Sequence, residues 1–162
     1  MAPRVEATLR FSLDKKNMRA FSATQPSDVG ETYMILGCTT AKFAFNKNSV
    51  KEAIEVEIGG TLVEKKKTSR QYGEAEYNSS TQYSVEGMEV ITVTFVNENN
   101  NNKQLQFTGS LYVDAKPKSR EEFRCFGTIT VGTGSYKKLF GNTAVLKYNI
   151  IKDIYVLRIF NK

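Results

Sequence analysis

The sequence predicts an all-β fold, a single eight-stranded antiparallel β-barrel with a hydrophobic lumen, and three observations point to it. Apolar residues recur with a period of two along most of the chain, turn-forming clusters separate those runs, and no helical period survives beyond a turn or two. Short antiparallel strands must protect their edges, and closing into a barrel removes the edges altogether. A barrel of eight strands is filled by its own side chains or holds one small ligand, so the lumen is where function is expected.

The elements follow in order. Val5, Ala7, Leu9, Phe11 and Leu13 alternate with Glu6, Thr8, Arg10, Ser12 and Asp14, the pattern of a strand with one buried face. Tyr33 to Phe45 and Ala53 to Glu64 are the next β-rich runs, with Pro26 to Gly30 before them and Asn46 to Ser49 between them as turns. Lys65 to Arg70 reads as a hairpin turn after the second run. Val90 to Val96 is followed by an Asn-rich tract, Asn97 to Lys103, that is too polar to pack and reads as a loose hairpin loop. Leu105, Phe107, Gly109, Leu111 and Val113 then alternate with Gln104, Gln106, Thr108, Ser110 and Tyr112. Glu122 to Val131, Thr143 to Ile150 and Ile154 to Phe160 complete the set, with turns at Pro117-Lys118-Ser119 and Lys152-Asp153. Several strands, notably Ile150 to Phe160, are apolar on both faces, more than one lumen needs, which predicts a symmetric homo-oligomer, a trimer first and a dimer second.

Composition bounds the function. A chain of 162 residues, 40% hydrophobic, suits one domain over 1–162. The net charge of +6 is carried by residues scattered through the sequence, apart from Lys65-Lys66-Lys67 with Arg70, which reads as a solvated loop. No nucleic-acid partner is expected. Met1-Ala-Pro-Arg leads directly into alternating residues, so neither a secretory signal nor a membrane span is predicted and the expected location is cytoplasmic. In that compartment Cys38 and Cys125 are expected as reduced thiols and the sequon Asn78-Ser79-Ser80 as unused. There is no histidine. Its absence removes Ser-His and Cys-His nucleophile pairs and histidine zinc sites, and two cysteines cannot make a four-sulfur site, so neither metal nor cofactor is expected. Catalysis would rest on carboxylates, tyrosines, arginines, lysines, a thiol, or shape.

The stretch "CFGTITVGTGSYKKLFGN", Cys125 to Asn142, holds four of the eleven glycines. A phosphate-binding loop needs Gly-x-x-x-x-Gly-Lys-Ser/Thr between a strand and a helix, and a dinucleotide fingerprint needs a βαβ setting. Neither fits, so Gly132, Gly134 and Gly141 read as a structural corner that leads into the next strand.

"FGTITVGTGSYKKLFG", preceded by "LQFTGSLYVDAK", resembles the region of the allene oxide cyclase and dirigent families in which a Phe/Gly strand, a Gly-Thr/Ser-Gly segment, an aromatic and a further glycine recur. "YNIIKDIYVLRIF" looks like the final strand of dirigent proteins. The likeness covers the last third of the chain, from Leu105 on. It implies an eight-stranded barrel with an apolar lumen, usually trimeric, and a cofactor-independent cyclase or isomerase acting on an oxylipin, a polyene or a terpenoid-like molecule. The alternative it leaves open is a non-catalytic hydrophobic-ligand carrier or dirigent-like guide. Allene oxide cyclases place a carboxylate and an asparagine near the first strand; Asp14 and Asn17 offer no matching register, so no catalytic residue is carried over.

Polar groups among apolar strand residues are the candidates for orienting a ligand. Arg124 lies within a Phe-Cys-Phe run, and Arg10 lies opposite the apolar face of the first strand, where an outward arginine is the bland reading. Tyr33, Tyr77 and Tyr112 offer phenolic donors, and Cys38 a thiol. Glu74 with Glu76, and Glu55 with Glu57, each share one strand face and read as solvent-exposed pairs.

Overall fold

The computed structural model describes residues 4–13, 19–22, 28–45, 48–71, 82–113, 122–149 and 151–162. Nine strands form in chain order: β1 (Val5–Phe11), β2 (Arg19–Ser22), β3 (Thr32–Phe45), β4 (Asn48–Gln71), β5 (Gln82–Asn97), β6 (Asn100–Val113), β7 (Glu122–Gly132), β8 (Thr143–Asn149) and β9 (Ile154–Phe160). They join in the order β1-β9-β8-β7-β6-β5-β4-β3-β2, and β1 also pairs with β3. That second pairing closes an eight-stranded antiparallel barrel. Among the described residues no helix is long and apolar enough to cross a membrane.

The ninth strand, β2, is the part the sequence did not predict. β1 and β2 lie end to end along one edge of β3, through Arg10↔Lys42 and Arg19↔Leu36. Between those pairs the chain advances from 10 to 19 on one side and from 42 to 36 on the other. The three extra residues on the β1–β2 side break what would otherwise be one strand.

Period two decides what faces inward. Leu9 and Phe11, Ala41 and Phe43, Ile54 and Val56, Val93 and Phe95, Leu105 and Phe107, Ile129, Leu146, and Leu157 with Ile159 are buried and form one continuous core. Fully burying one such side chain contributes about 1.5–3 kcal/mol, so the interior supplies most of the cohesion of a sheet wrapped on itself. Val5, which shares the alternation, is 48% exposed because it lies at the rim. Phe11 meets Phe95 edge-on at 5.2 Å and stacks on Tyr155 at 5.0 Å, and Tyr155 stacks on Tyr148 at 4.3 Å. These four rings make an aromatic column inside the wall.

Two expected loops are strand instead. Lys65 to Arg70 lies within the 24-residue β4, paired with β5 through register shifts between Leu62 and Glu64 and between Lys65 and Lys67. Bulges let a long strand bend and twist while its backbone goes on pairing. The Asn-rich tract is a tight turn rather than a loose loop. Asn97 pairs with Asn100, Asn97 Oδ1 accepts from the amide of Asn99 at 2.9 Å, and Asn97 itself is buried. Asparagine side chains mimic backbone turns, so a polar tract can be ordered by its own hydrogen bonds.

The glycine-rich stretch does not run directly into the next strand, as the sequence suggested. A 310 helix, Gly134–Leu139, lies between β7 and β8, with Tyr136 and Leu139 buried. It plugs one pole of the barrel. Gly134 has φ +61° and Gly141 φ +83°, the left-handed region that favours glycine, and a Cβ on Gly132 would lie 2.6 Å from the carbonyl oxygen of Tyr136. Thr133 anchors the plug: its hydroxyl donates to the Asn102 carbonyl at 2.6 Å and accepts from the Gln104 amide at 3.0 Å.

Candidate functional site

The two poles of the barrel differ in chemistry. At the plugged pole, Glu52 on β4 is buried and accepts hydrogen bonds from the Tyr136 hydroxyl and the Lys103 ammonium, which also stands 4.9 Å from the Tyr136 ring centre. Every strong group in this triad has a partner. Burial, then the bond to Glu52, raises the Tyr136 pKa. The triad fastens the plug to the wall.

At the opposite pole a carboxyl stands in the inner face without the partners that Glu52 has; at the plugged pole the buried Asn142 likewise keeps Oδ1 without a partner among the described residues, while its Nδ2 donates to Glu6. Glu89 occupies the inward register of β5, two residues before Ile91, with Leu62 of β4 and Leu111 of β6 as its pair partners. Its Oε1 is buried with no hydrogen-bond partner among the described residues. Burial raises the Glu89 pKa, shifting the carboxyl towards its neutral, proton-donating form. Tyr33 on β3 and Cys125 on β7 share its surroundings. Both have raised pKa values, first from burial and then from the nearby Glu89 charge, with the Cys125 thiol pushed up to about 12.

Two glycines make this arrangement fit. A Cβ on Gly60 would lie 2.3 Å from Tyr33 Cε1, so the Tyr33 ring crosses the wall where β4 has no side chain. A Cβ on Gly109 would lie 2.8 Å from Cys125 Sγ and 2.6 Å from Phe107 Cζ. Small residues on β4 and β6 therefore clear the space that Tyr33 and Cys125 occupy.

Tyr155 and Tyr148 extend the group from β9 and β8. Tyr148 donates to Asp153 Oδ1 at 2.8 Å; burial first and that bond second push its phenol up to about 12. The Tyr155 pKa is raised by burial, with smaller effects from Tyr148, Tyr33 and Asp153. The phenols of Tyr33, Tyr148 and Tyr155 and the Cys125 thiol are all held protonated. The pole therefore offers proton donors, not nucleophiles, since a thiol titrating near 12 carries little thiolate at neutral pH. Among the described residues no cluster of His, Cys, Asp and Glu has the make-up of a metal site.

Of the residues singled out from sequence, Tyr33 is the one at this pole. Arg124 is exposed on the outer face of β7 and donates through Nε to Glu122 at 2.9 Å. Arg10 is exposed on the outer face of β1, in a groove of about 360 Å³ with Ser12, Thr40, Lys42 and Lys51. Cys38 faces outward on β3, in a separate groove of about 580 Å³ lined by Arg19, Glu55, Glu57 and Thr94. Its pKa is raised by desolvation, then by Glu98 and Glu55. Tyr112 takes the outward register of β6, opposite Met88. Tyr77, Asp14, Asn17, Glu74, Glu76 and the sequon lie outside the described residues.

Glu89, Cys125 and Tyr155 were not among the sequence candidates. A signal for Glu89 existed: Glu89, Ile91, Val93 and Phe95 occupy alternate positions, so a carboxyl continues the most apolar face of β5. In comparisons with protein-family models, curated proteins and solved structures, nothing matches this chain.

Proposed function

We propose that the protein is a cyclase or isomerase that folds a flexible, apolar small molecule at the Glu89 pole of the barrel, with Glu89 as its acid. The observation that carries this reading is the inward carboxyl with an unpartnered, buried oxygen, set among phenols and a thiol that are all held protonated. A neutral carboxyl in such a setting protonates or hydrogen-bonds a substrate oxygen, as in an epoxide or carbonyl, while the half-buried rings of Tyr33, Tyr148 and Tyr155 offer apolar surface to the rest of the molecule. An isomerisation returns the proton it borrows, so the step balances without a co-reactant. The resemblance of the last third of the chain to allene oxide cyclases and dirigent proteins supports the same class of substrate: an oxylipin, a polyene or a terpenoid-like molecule.

The test is incubation with a polyunsaturated fatty-acid epoxide and with a linear polyene, read by thermal shift and by chromatography of the recovered ligand. The expected result is a raised transition for the parent and for Glu89→Gln, with conversion by the parent alone. A raised transition with the ligand recovered unchanged from both proteins would replace catalysis by carriage. No shift with any apolar ligand would remove the lumen from consideration.

A further inference from the structure

The basic residues look scattered in sequence, but the sheet register gathers them. Arg124 pairs with Lys147, Lys147 with Val156, Val156 with Arg10, Arg10 with Lys42, and Lys42 with Lys51. One rank thus crosses six neighbouring strands, β7, β8, β9, β1, β3 and β4, in outward positions, with five cations and a single valine. Arg158, two residues beyond Val156, adds a further cation to the same outer face. Like charges directly opposite one another in a ladder are unfavourable, so the rank works against the fold that carries it. Among the described residues, no hydrogen bond or ion pair engages Arg10, Lys42 or Lys51. At the other end Glu122 is held by the hydrogen bond from Arg124 and feels the charges of Lys147 and Arg158 as well.

The shape of the surface selects the occupant. At about 4.8 Å between strands the rank runs for roughly 24 Å, and it follows the curve of the barrel. A flat bilayer touches only the crest of such a surface, whereas a linear chain can bend along it. Single-stranded nucleic acids are gripped by aromatic platforms beside the cations. One exposed aromatic, Phe126, stands beside the end of the rank, two residues from Arg124, and none stands within the rank itself. Instead, the groove over β1, β3 and β4 sets the hydroxyls of Ser12 and Thr40 beside Arg10, Lys42 and Lys51, over a floor that includes Phe11, Ala41 and Ile154. Cations with hydroxyls suit a charged sugar chain.

We infer that this rank is a binding surface for an acidic polysaccharide, whose carboxylate or sulfate groups lie along the six strands. It is separate from the Glu89 pole and does not depend on the proposal for it. The experiment measures binding of polygalacturonate and dextran sulfate, with oligo(dT) and phosphatidylserine-containing vesicles as competing classes, at about 50 and about 300 mM salt. Two charge-matched double variants are compared, Lys42→Glu with Lys51→Glu in the rank and Lys137→Glu with Lys138→Glu on the exposed face of the plug; circular dichroism and Lys→Gln versions of each confirm the fold. The expected result is salt-sensitive binding of a polysaccharide that falls at least about tenfold in the rank variant and less than about threefold in the plug variant. Equal losses in the two variants, no binding at the lower salt, or tighter binding of oligo(dT) or vesicles would overturn the inference.

Discussion

Tyr136 in the 310 helix and Glu52 on β4 are 84 positions apart in the chain, and the hydroxyl of the first donates to Oε2 of the second. This contact joins the plug to the wall, and Lys103 completes it from β6 through Glu52 Oε1. Removing the donor alone leaves a buried acceptor short of one partner. Tyr136→Phe is expected to lower stability by about 1–3 kcal/mol, read from the urea midpoint. Glu52→Gln should cost more, because it leaves the largely buried Lys103 ammonium without a counter-charge, and adding Lys103→Met should recover part of the loss.

The Glu89 carboxyl gives stability a definite pH dependence. Its pKa in the fold is raised by burial, so the unfolded chain releases this proton first as pH rises. The contribution of the neutral carboxyl is fully present below the unfolded value, about 4.3, and is lost as pH climbs through the folded value. Glu89→Gln is therefore expected to be more stable than the parent at neutral pH, with the difference shrinking below about pH 4. Chemical denaturation of both proteins across that range checks the sign.

The glycine at the start of the plug is tested by a single methyl group. Gly134 combines φ +61° with a Cβ position 3.0 Å from the Asn102 carbonyl oxygen, so Gly134→Ala should destabilise by about 1 kcal/mol or more. Ser135→Ala, at the exposed neighbouring position, should stay within about 0.5 kcal/mol of the parent. Thermal denaturation of the pair separates backbone strain from a general sensitivity of the segment.

Charge reversal in the middle of the cationic rank should stabilise the protein. Lys42→Glu places a carboxylate between Arg10 and Lys51, turning two like-charged cross-strand pairs into two opposite ones. A gain of about 0.2–1 kcal/mol is expected at low salt, fading as ions screen it. Unfolding curves at two salt concentrations measure both the gain and its decay.

Much of the barrel was legible because its inner face is apolar in strict alternation, as in β1 from Ala7 to Phe11 and in β6 from Leu105 to Gly109. The misread parts share a cause. Lys65 to Arg70 is a charged, polar run, so composition marked a turn where the backbone continues to pair. Arg19–Ser22 is too short to show a period, and its place depends on an edge of β3 that β1 leaves free. At the candidate site Tyr33 was picked out for its hydroxyl. Glu89 is a lone carboxyl on the face of Ile91 and Val93, less conspicuous in sequence than the pairs Glu55 with Glu57 and Glu74 with Glu76. The cationic rank could not be read at all, since Arg10, Lys42 and Lys147 become neighbours only once every hairpin register is set.

The seam that closes the barrel also dictates when it can close. β1 meets β3 within the first 45 residues, but its other edge waits for β9, where Val5 pairs with Phe160. Contacts of such long range are formed late, because the loop-closure entropy is spent before the contacts repay it. During synthesis β1 and β8 therefore each present an unpaired edge until the seven residues of β9 slot between them. Open edges are templates for other chains, so a ribosome stalled before Ile154, or a variant that weakens β9, should yield intermolecular sheet rather than a slightly looser barrel.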